Sequence, residues 1–170
     1  MHSEFYTAQI NMNKGFTLIE VLVYIALLGI IMTGLLASSL SIFQNTDRTQ
    51  TSIMVQEEGD FLLAKINASL TGANSITAPA AGNSANTLTF IKNGITVTFA
   101  LSSTDLQLSG TTLNNANVQI LPPAASPTFL FTHGINGSSE YVNVRFTLQT
   151  KTNNGQTFAK NFETTKYLRK

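Results

Sequence analysis

One carboxylate, Glu20, stands inside the most apolar part of this chain. No charged residue occurs from Val21 to Thr46, and the basic residue before it, Lys14, is six positions upstream. A carboxylate in hydrocarbon costs on the order of 2.5–3.5 kcal/mol, so it needs a partner. The sequence offers no Lys or Arg at helical spacing downstream. Scission of the Gly15–Phe16 bond would create a cationic amine on Phe16, four residues from Glu20 and on the same helix face. That amine would neutralise the carboxylate within one chain or across two. The alternative is that Glu20 sits at the level of lipid headgroups.

The remaining chemical inventory is thin. The 170 residues include no cysteine and no tryptophan, which excludes disulfides, thiolate metal sites and cysteine nucleophiles. The two histidines are His2 and His133. His133 has no carboxylate or second histidine at ligand spacing and is expected to be a loop residue, not a metal ligand. No serine sits in a nucleophile-elbow pattern. Gly134-Ile135-Asn136-Gly137 reads as a turn, because no helix with a lysine follows it. No catalytic residue, metal or cofactor is therefore expected. The net charge of +1 gives no basic field for nucleic acid, and no direct nucleic-acid site is visible. Asn67-Ala68-Ser69 and Asn136-Gly137-Ser138 fit the glycosylation sequon, a pattern short enough to recur by chance.

The element that carries Glu20 is long. Charged residues are only 11% of the chain, against about 25% in ordinary soluble domains. The run 21–37 is apolar on every face, and with Phe16–Ile19 before it and Leu40, Ile42 and Phe43 after it exceeds the roughly 20 residues that cross a bilayer as a helix. A soluble amphipathic helix would show a polar face, and none emerges before about Gln44. A cleaved secretory signal has a hydrophobic core of only about 7–15 residues, although Ala37-Ser38-Ser39 would pass as its cleavage site.

Lys14-Gly15-Phe16-Thr17-Leu18-Ile19-Glu20, followed by the uninterrupted apolar run, resembles the prepilin leader and methylation motif of type IV pilins and pseudopilins. The resemblance is strong over residues 14–43 and architectural beyond them. It implies cleavage between Gly15 and Phe16 by prepilin peptidase and N-methylation of Phe16. It also implies that Glu20 pairs with the N-terminal amine of an adjacent subunit during assembly. Lys14 would help to hold the leader in the cytoplasm, as the positive-inside rule requires. Many major pilins carry a mid-helix proline and a C-terminal disulfide loop; this chain has neither. That departure favours a minor pilin or minor pseudopilin. The leader is 1–15 from Met1, or four residues if translation starts at Met12.

Beyond Phe43 the composition turns polar without a helix breaker, and Val55, Leu62, Ile66 and Leu70 recur at helical spacing. One helix from about 17 to 70 is expected, about 80 Å long at 1.5 Å per residue: 16–43 membrane or filament core, 44–72 amphipathic. Gly59 would weaken it by about 1 kcal/mol and allow a local bend, and Thr71-Gly72 would end it. Glu57, Glu58 and Asp60 form an acidic cluster on the solvated side, with a basic tail of Lys166, Arg169 and Lys170 as a possible partner on another subunit.

The region 73–170 reads as β-rich. Residues 75–86, rich in small residues, are expected to be a loop. Asn93-Gly94 is the preferred two-residue hairpin turn; it pairs Phe90 with Val97 and Leu88 with Phe99 on one face. Further strands are expected at Leu106 and Leu108, at Val118 and Ile120 before Pro122-Pro123, and at Phe129 and Phe131 before Gly134. The last two carry Val142, Val144, Phe146 and Leu148, and, after Asn153-Asn154-Gly155, Phe158 and Phe162. The expected fold is α+β and pilin-like: one long helix whose stripe packs on the apolar face of an antiparallel sheet.

The sequence thus points to a structural subunit of a type IV pilus-like filament, in a pilus, a type II secretion system or a DNA-uptake machine. Its implied partners are other pilin or pseudopilin subunits, prepilin peptidase and an inner-membrane assembly platform. Its implied location is a single-pass inner membrane protein with an extracytoplasmic C-terminal domain, reaching the periplasm or cell surface after assembly. The competing reading is a membrane-anchored adhesin or binding domain that never enters a filament; such a protein has no need of Gly15 together with Glu20.

Overall fold

The computed structural model describes residues 15–124, 128–137 and 139–168. The chain divides into two units, Met1–Phe43 and Gln44–Lys170. Helix α1 (Leu18–Leu70) contributes its first half to one and its second half to the other. In the first unit every described residue is exposed.

In the second unit α1 buries Thr51, Val55, Gly59, Leu62, Ile66 and Leu70. These six recur every three or four residues and form one stripe, which includes the four apolar positions expected from sequence. Full burial of Leu62, Ile66 and Leu70 stabilises the fold by about 1.5–3 kcal/mol each. The helix stops where expected. Gly72 takes a left-handed φ of 78°, and the Lys92 ammonium donates to the carbonyls of Ala68 and Ser69 at 3.2 Å each. A cation on the final carbonyls satisfies acceptors that the helix leaves unpaired.

The strands form two five-stranded antiparallel sheets where sequence suggested one. The first runs β1 (Ser75–Ala78), β3 (Thr87–Lys92), β4 (Ile95–Ser102), β5 (Asp105–Leu108) and β6 (Thr111–Thr112) in that order. The second is built on the thirteen-residue β9 (Ser139–Lys151). One edge of β9 pairs along its length with β10 (Thr157–Tyr167). Its other edge is shared end to end by β8 (Phe131–Asn136) and β7 (Gln119–Leu121), and β2 (Ser84–Ala85) adds to β8. The chain changes sheet at Asn86. Its carbonyl accepts from Leu101 N at 2.9 Å in the first sheet, and its Oδ1 accepts from Leu130 N at 3.1 Å beside the second.

The hairpin forms in the expected register, Phe90 opposite Val97 and Leu88 opposite Phe99, with Asn93 and Gly94 both at positive φ. Leu88, Phe90, Phe99, Leu106, Ile120, Phe131, Val142, Val144, Phe146 and Leu148 join the helix stripe in a single buried cluster.

Two local expectations are corrected, and Gly59 gains a packing role. Residues 75–86 are not merely a loop: β1 pairs with β3 and β2 with β8. Small side chains there concealed pairing carried by the backbone, anchored by Asn74 N on Ile91 O at 2.8 Å. Gly134 lies inside β8, whereas Phe129 precedes that strand and is exposed. The glycine continues the strand because the Tyr141 ring of the paired residue occupies the place of its side chain. Gly59 lies on the buried stripe, where the Phe162 ring from β10 fills the space a Cβ would need. Its role there is steric.

Gly59→Ala therefore opposes two effects: about 1 kcal/mol gained in helix propensity and an overpacking cost of about 1–3 kcal/mol. We expect a lowered thermal midpoint in detergent, restored in part by Phe162→Leu in the same chain. A raised midpoint for Gly59→Ala alone would show that the ring moves aside freely.

Candidate functional site

The chemistry-bearing end of the chain is the start of α1. Lys14 lies outside the described residues, as do the other leader residues 1–13. Gly15 and Phe16 precede the helix and are exposed, with Phe16 at 76%. Accessibility is what a peptidase acting at the Gly15–Phe16 bond requires. The Phe16 ring meets the Tyr24 ring edge-on, with centroids 6.4 Å apart.

Glu20 folds back onto the helix start. Its Oε2 accepts from Thr17 N and from Thr17 Oγ1, both at 3.1 Å, and its own N–H donates to Thr17 Oγ1 at 3.3 Å. This is a reciprocal capping box, in which a Thr at the cap and a Glu three residues on satisfy each other's backbone amides. A carboxylate at a helix N-terminus is further favoured by the unpaired N–H groups and the helix dipole. The cationic partner expected for Glu20, the Phe16 amine, leaves out this neutral one, Thr17. The signal was present as Thr17-Leu18-Ile19-Glu20.

This geometry limits what Glu20 can do. The carboxylate is already gathered at the first turn, one residue from the nitrogen that cleavage would convert into an amine. A cationic Phe16 terminus of the same or a neighbouring chain would approach an acceptor already turned toward the end of the helix.

The surface behind the cap is largely apolar and uncharged as far as Thr46. Leu18, Ile30 and Phe43 are each 70–80% exposed, and the large side chains between them are exposed too. Thr33 bonds its hydroxyl back to Gly29 O at 2.8 Å, which removes one free polar group from that surface. By length and composition the helix is able to cross a membrane.

Residues 10–36 match the family described as the prokaryotic N-terminal methylation motif, the leader of type IV pilins and pseudopilins. No curated protein and no solved structure matches the chain. The motif, the exposed apolar helix and the α+β unit that follows it in sequence fit a type IV pilin-like, membrane-anchored chain.

The other residues singled out from sequence have different places. His133 is not a loop residue but a buried member of β8. Its Nδ1 is 2.8 Å from Pro79 O, and its Nε2 is 3.6 Å from a Glu140 oxygen. The neighbour is a carboxylate seven residues away, reached across the β8–β9 hairpin, which linear spacing does not reveal. The acidic cluster is not simply solvated. Glu58 accepts from Asn115 N at 2.8 Å, tying the helix to the loop before β7, and Asp60 accepts from Gln56 Nε2 at 2.7 Å. Arg169 and Lys170 of the basic tail are outside the described residues, as are residues 125–127 between β7 and β8 and Ser138 of the second sequon.

On the outer face of β9 and β10, Glu163 accepts from Asn143 Nδ2 and Arg145 Nε, each at 2.9 Å. The Asn143 hydrogen bond, then that from Arg145, holds its carboxyl below the ordinary value of 4.5. A depressed carboxyl stabilises the fold above its ordinary value, and that contribution is lost as pH falls through the lowered one. Exposure keeps the effect small.

Two outcomes follow. Thr17→Val removes the hydroxyl from the cap while keeping its shape, at a cost of about 1 kcal/mol; amide exchange in micelles should quicken at Leu18–Glu20 and not beyond the first turns. Uniform exchange rates in both chains would mean that the cap does not hold the helix start. Glu163→Gln should flatten part of the decline in stability on the acid side of an unfolding series; an unchanged pH profile would remove the Asn143–Arg145–Glu163 contribution.

Proposed function

We propose that this chain is a minor pilin or pseudopilin, a structural and non-enzymatic subunit of a type IV pilus-like filament. The observation that carries the reading is the methylation motif over residues 10–36 together with Glu20 folded onto the start of a helix that carries no other charge before Asp47. Prepilin peptidase cuts between Gly15 and Phe16, with Lys14 on the cytoplasmic side of the bond, and Phe16 is N-methylated. The processed subunit waits in the inner membrane with its β-rich domain outside the cytoplasm. An assembly platform then extracts it into a bundle of like helices.

Packing these helices together replaces lipid by side chains from neighbouring subunits. Van der Waals complementarity and polar pairing decide the outcome there, because lipid tails are as apolar as leucine. Glu20 supplies register: a subunit docked out of place leaves a carboxylate without its cationic partner, which is penalised in an apolar core. The exposed Ile53 and Phe61 on α1 extend the apolar surface available to neighbours past the membrane segment.

The test is co-expression with a cognate assembly system. Glu20→Val should fold and insert like the parent but fall by tenfold or more in sheared filaments, the scale of a lost buried charge pair of several kcal/mol. Incorporation at the parental level would end the register role. Gly15→Leu should leave the leader attached, read as an unshifted band on a gel; normal processing would move the cleavage site elsewhere. Parental chains that are processed but stay in the membrane fraction would favour the anchored binding domain.

A further inference from the structure

His133 is buried in the middle of β8, with 4% of its surface exposed. A ring that deep must find partners for both of its nitrogens. Nδ1 lies 2.8 Å from Pro79 O. A carbonyl oxygen only accepts, so Nδ1 carries the proton. In the neutral ring Nε2 is then a bare acceptor. It is buried and has no hydrogen-bond partner among the described residues. What faces it is a second acceptor, Glu140 Oε2 at 3.6 Å. A buried acceptor without a donor is costly. One proton on Nε2 turns this opposition into a charge-assisted hydrogen bond.

The same residue ties two parts of the second unit together. Its N–H donates to Asn83 O at 3.0 Å, and its carbonyl accepts from Gly82 N at 2.8 Å. With the ring on Pro79 O, His133 holds the segment 79–83, between β1 and β2, at three points. Glu140 belongs to β9, opposite Ile135 in the β8–β9 hairpin, and its carbonyl accepts from Leu168 N at 2.9 Å.

Few other ionisable groups bear on the ring. Residues 79–85 and the rest of β8 contain none, and α1 buries none. Tyr141 and Tyr167 alternate to the opposite face of the sheet. Lys166 of β10 is opposite Val142, which is opposite His133. It stands two strands away, about 10 Å at the usual strand spacing. That is about one screening length in dilute salt, so the contact with Glu140 outweighs its repulsion.

We propose that His133 and Glu140 form a proton-operated clasp. Protonation at Nε2 closes the contact with Glu140 and fastens the segment 79–83 to the β8–β9 hairpin; loss of that proton loosens it. Imidazoles ordinarily titrate at about 6.5 and glutamates at about 4.3. The clasp is closed between those values, where the ring is charged and the carboxylate ionised. It opens as pH rises because Nε2 is bare again, and in stronger acid because Glu140 becomes neutral.

The experiment uses the full chain in detergent micelles at about pH 5.5 and about pH 7.5, on either side of the ordinary imidazole value. Nitrogen NMR of the His133 ring, distinguished from His2 with His133→Gln, should show the proton on Nδ1 at the higher pH and on both nitrogens at the lower. Amide exchange, corrected for the intrinsic effect of pH, is read at Gly82 and His133, whose N–H groups make the backbone bonds of the clasp. Their protection should rise about tenfold at the lower pH relative to β3 and β4 of the other sheet, the scale of one charge-assisted hydrogen bond. Glu140→Gln sets an amide donor against the bare Nε2, so protection should no longer depend on pH. A neutral ring protonated on Nε2 overturns the proposal. So does protection that is equal at the two pH values or changes equally in β3 and β4, and so does a pH dependence that survives Glu140→Gln.

Discussion

Everything at the N-terminal end follows from apolar surface that the chain cannot bury in itself. From Leu18 to Phe43 the large side chains are exposed around the whole helix. Apolar area left in water costs about 25 cal/mol per Å², so the segment needs lipid or other copies as its solvent. A monomer satisfies that demand in a membrane, and an assembly satisfies it in a helical bundle. In the proposed function the same surface would serve as anchor and as filament core. Glu20 is the one charged group that distinguishes the two settings, because its pairing depends on where the next amine lies.

The second unit solves its own packing problem by different means. The stripe from Thr51 to Leu70 shares one buried cluster with two sheets, and polar clamps hold the parts in register. Lys92 closes the helix end, Glu58 holds the loop before β7, and Asp47 holds the turn after β9. These contacts lie within the second unit, and the proposed passage from membrane to filament would require such a self-contained fold.

What was legible in the sequence had a local signal. The helix, its buried stripe and the Asn93-Gly94 hairpin rest on contacts between residues close in sequence, and they appeared with the expected boundaries and register. What was not legible depended on distant pairing. The division into two sheets turns on Asn86 and on β2 reaching β8. Gly59 looked like a weak point because the ring that fills its space, Phe162, lies more than a hundred residues away. His133 looked solitary because Glu140 reaches it only through the hairpin. At the site itself Gly15, Phe16 and Glu20 stood out at once, whereas Thr17 was overlooked although its spacing to Glu20 is a local signal.

The central claim is that the chain is cut and remade at Phe16 before it assembles. The most direct measurement is identification of the N-terminal peptide by mass spectrometry after expression of the full chain with its cognate prepilin peptidase. The account predicts a mature chain that begins with N-methylated Phe16. An intact leader, or a terminus near Ala37, would contradict it.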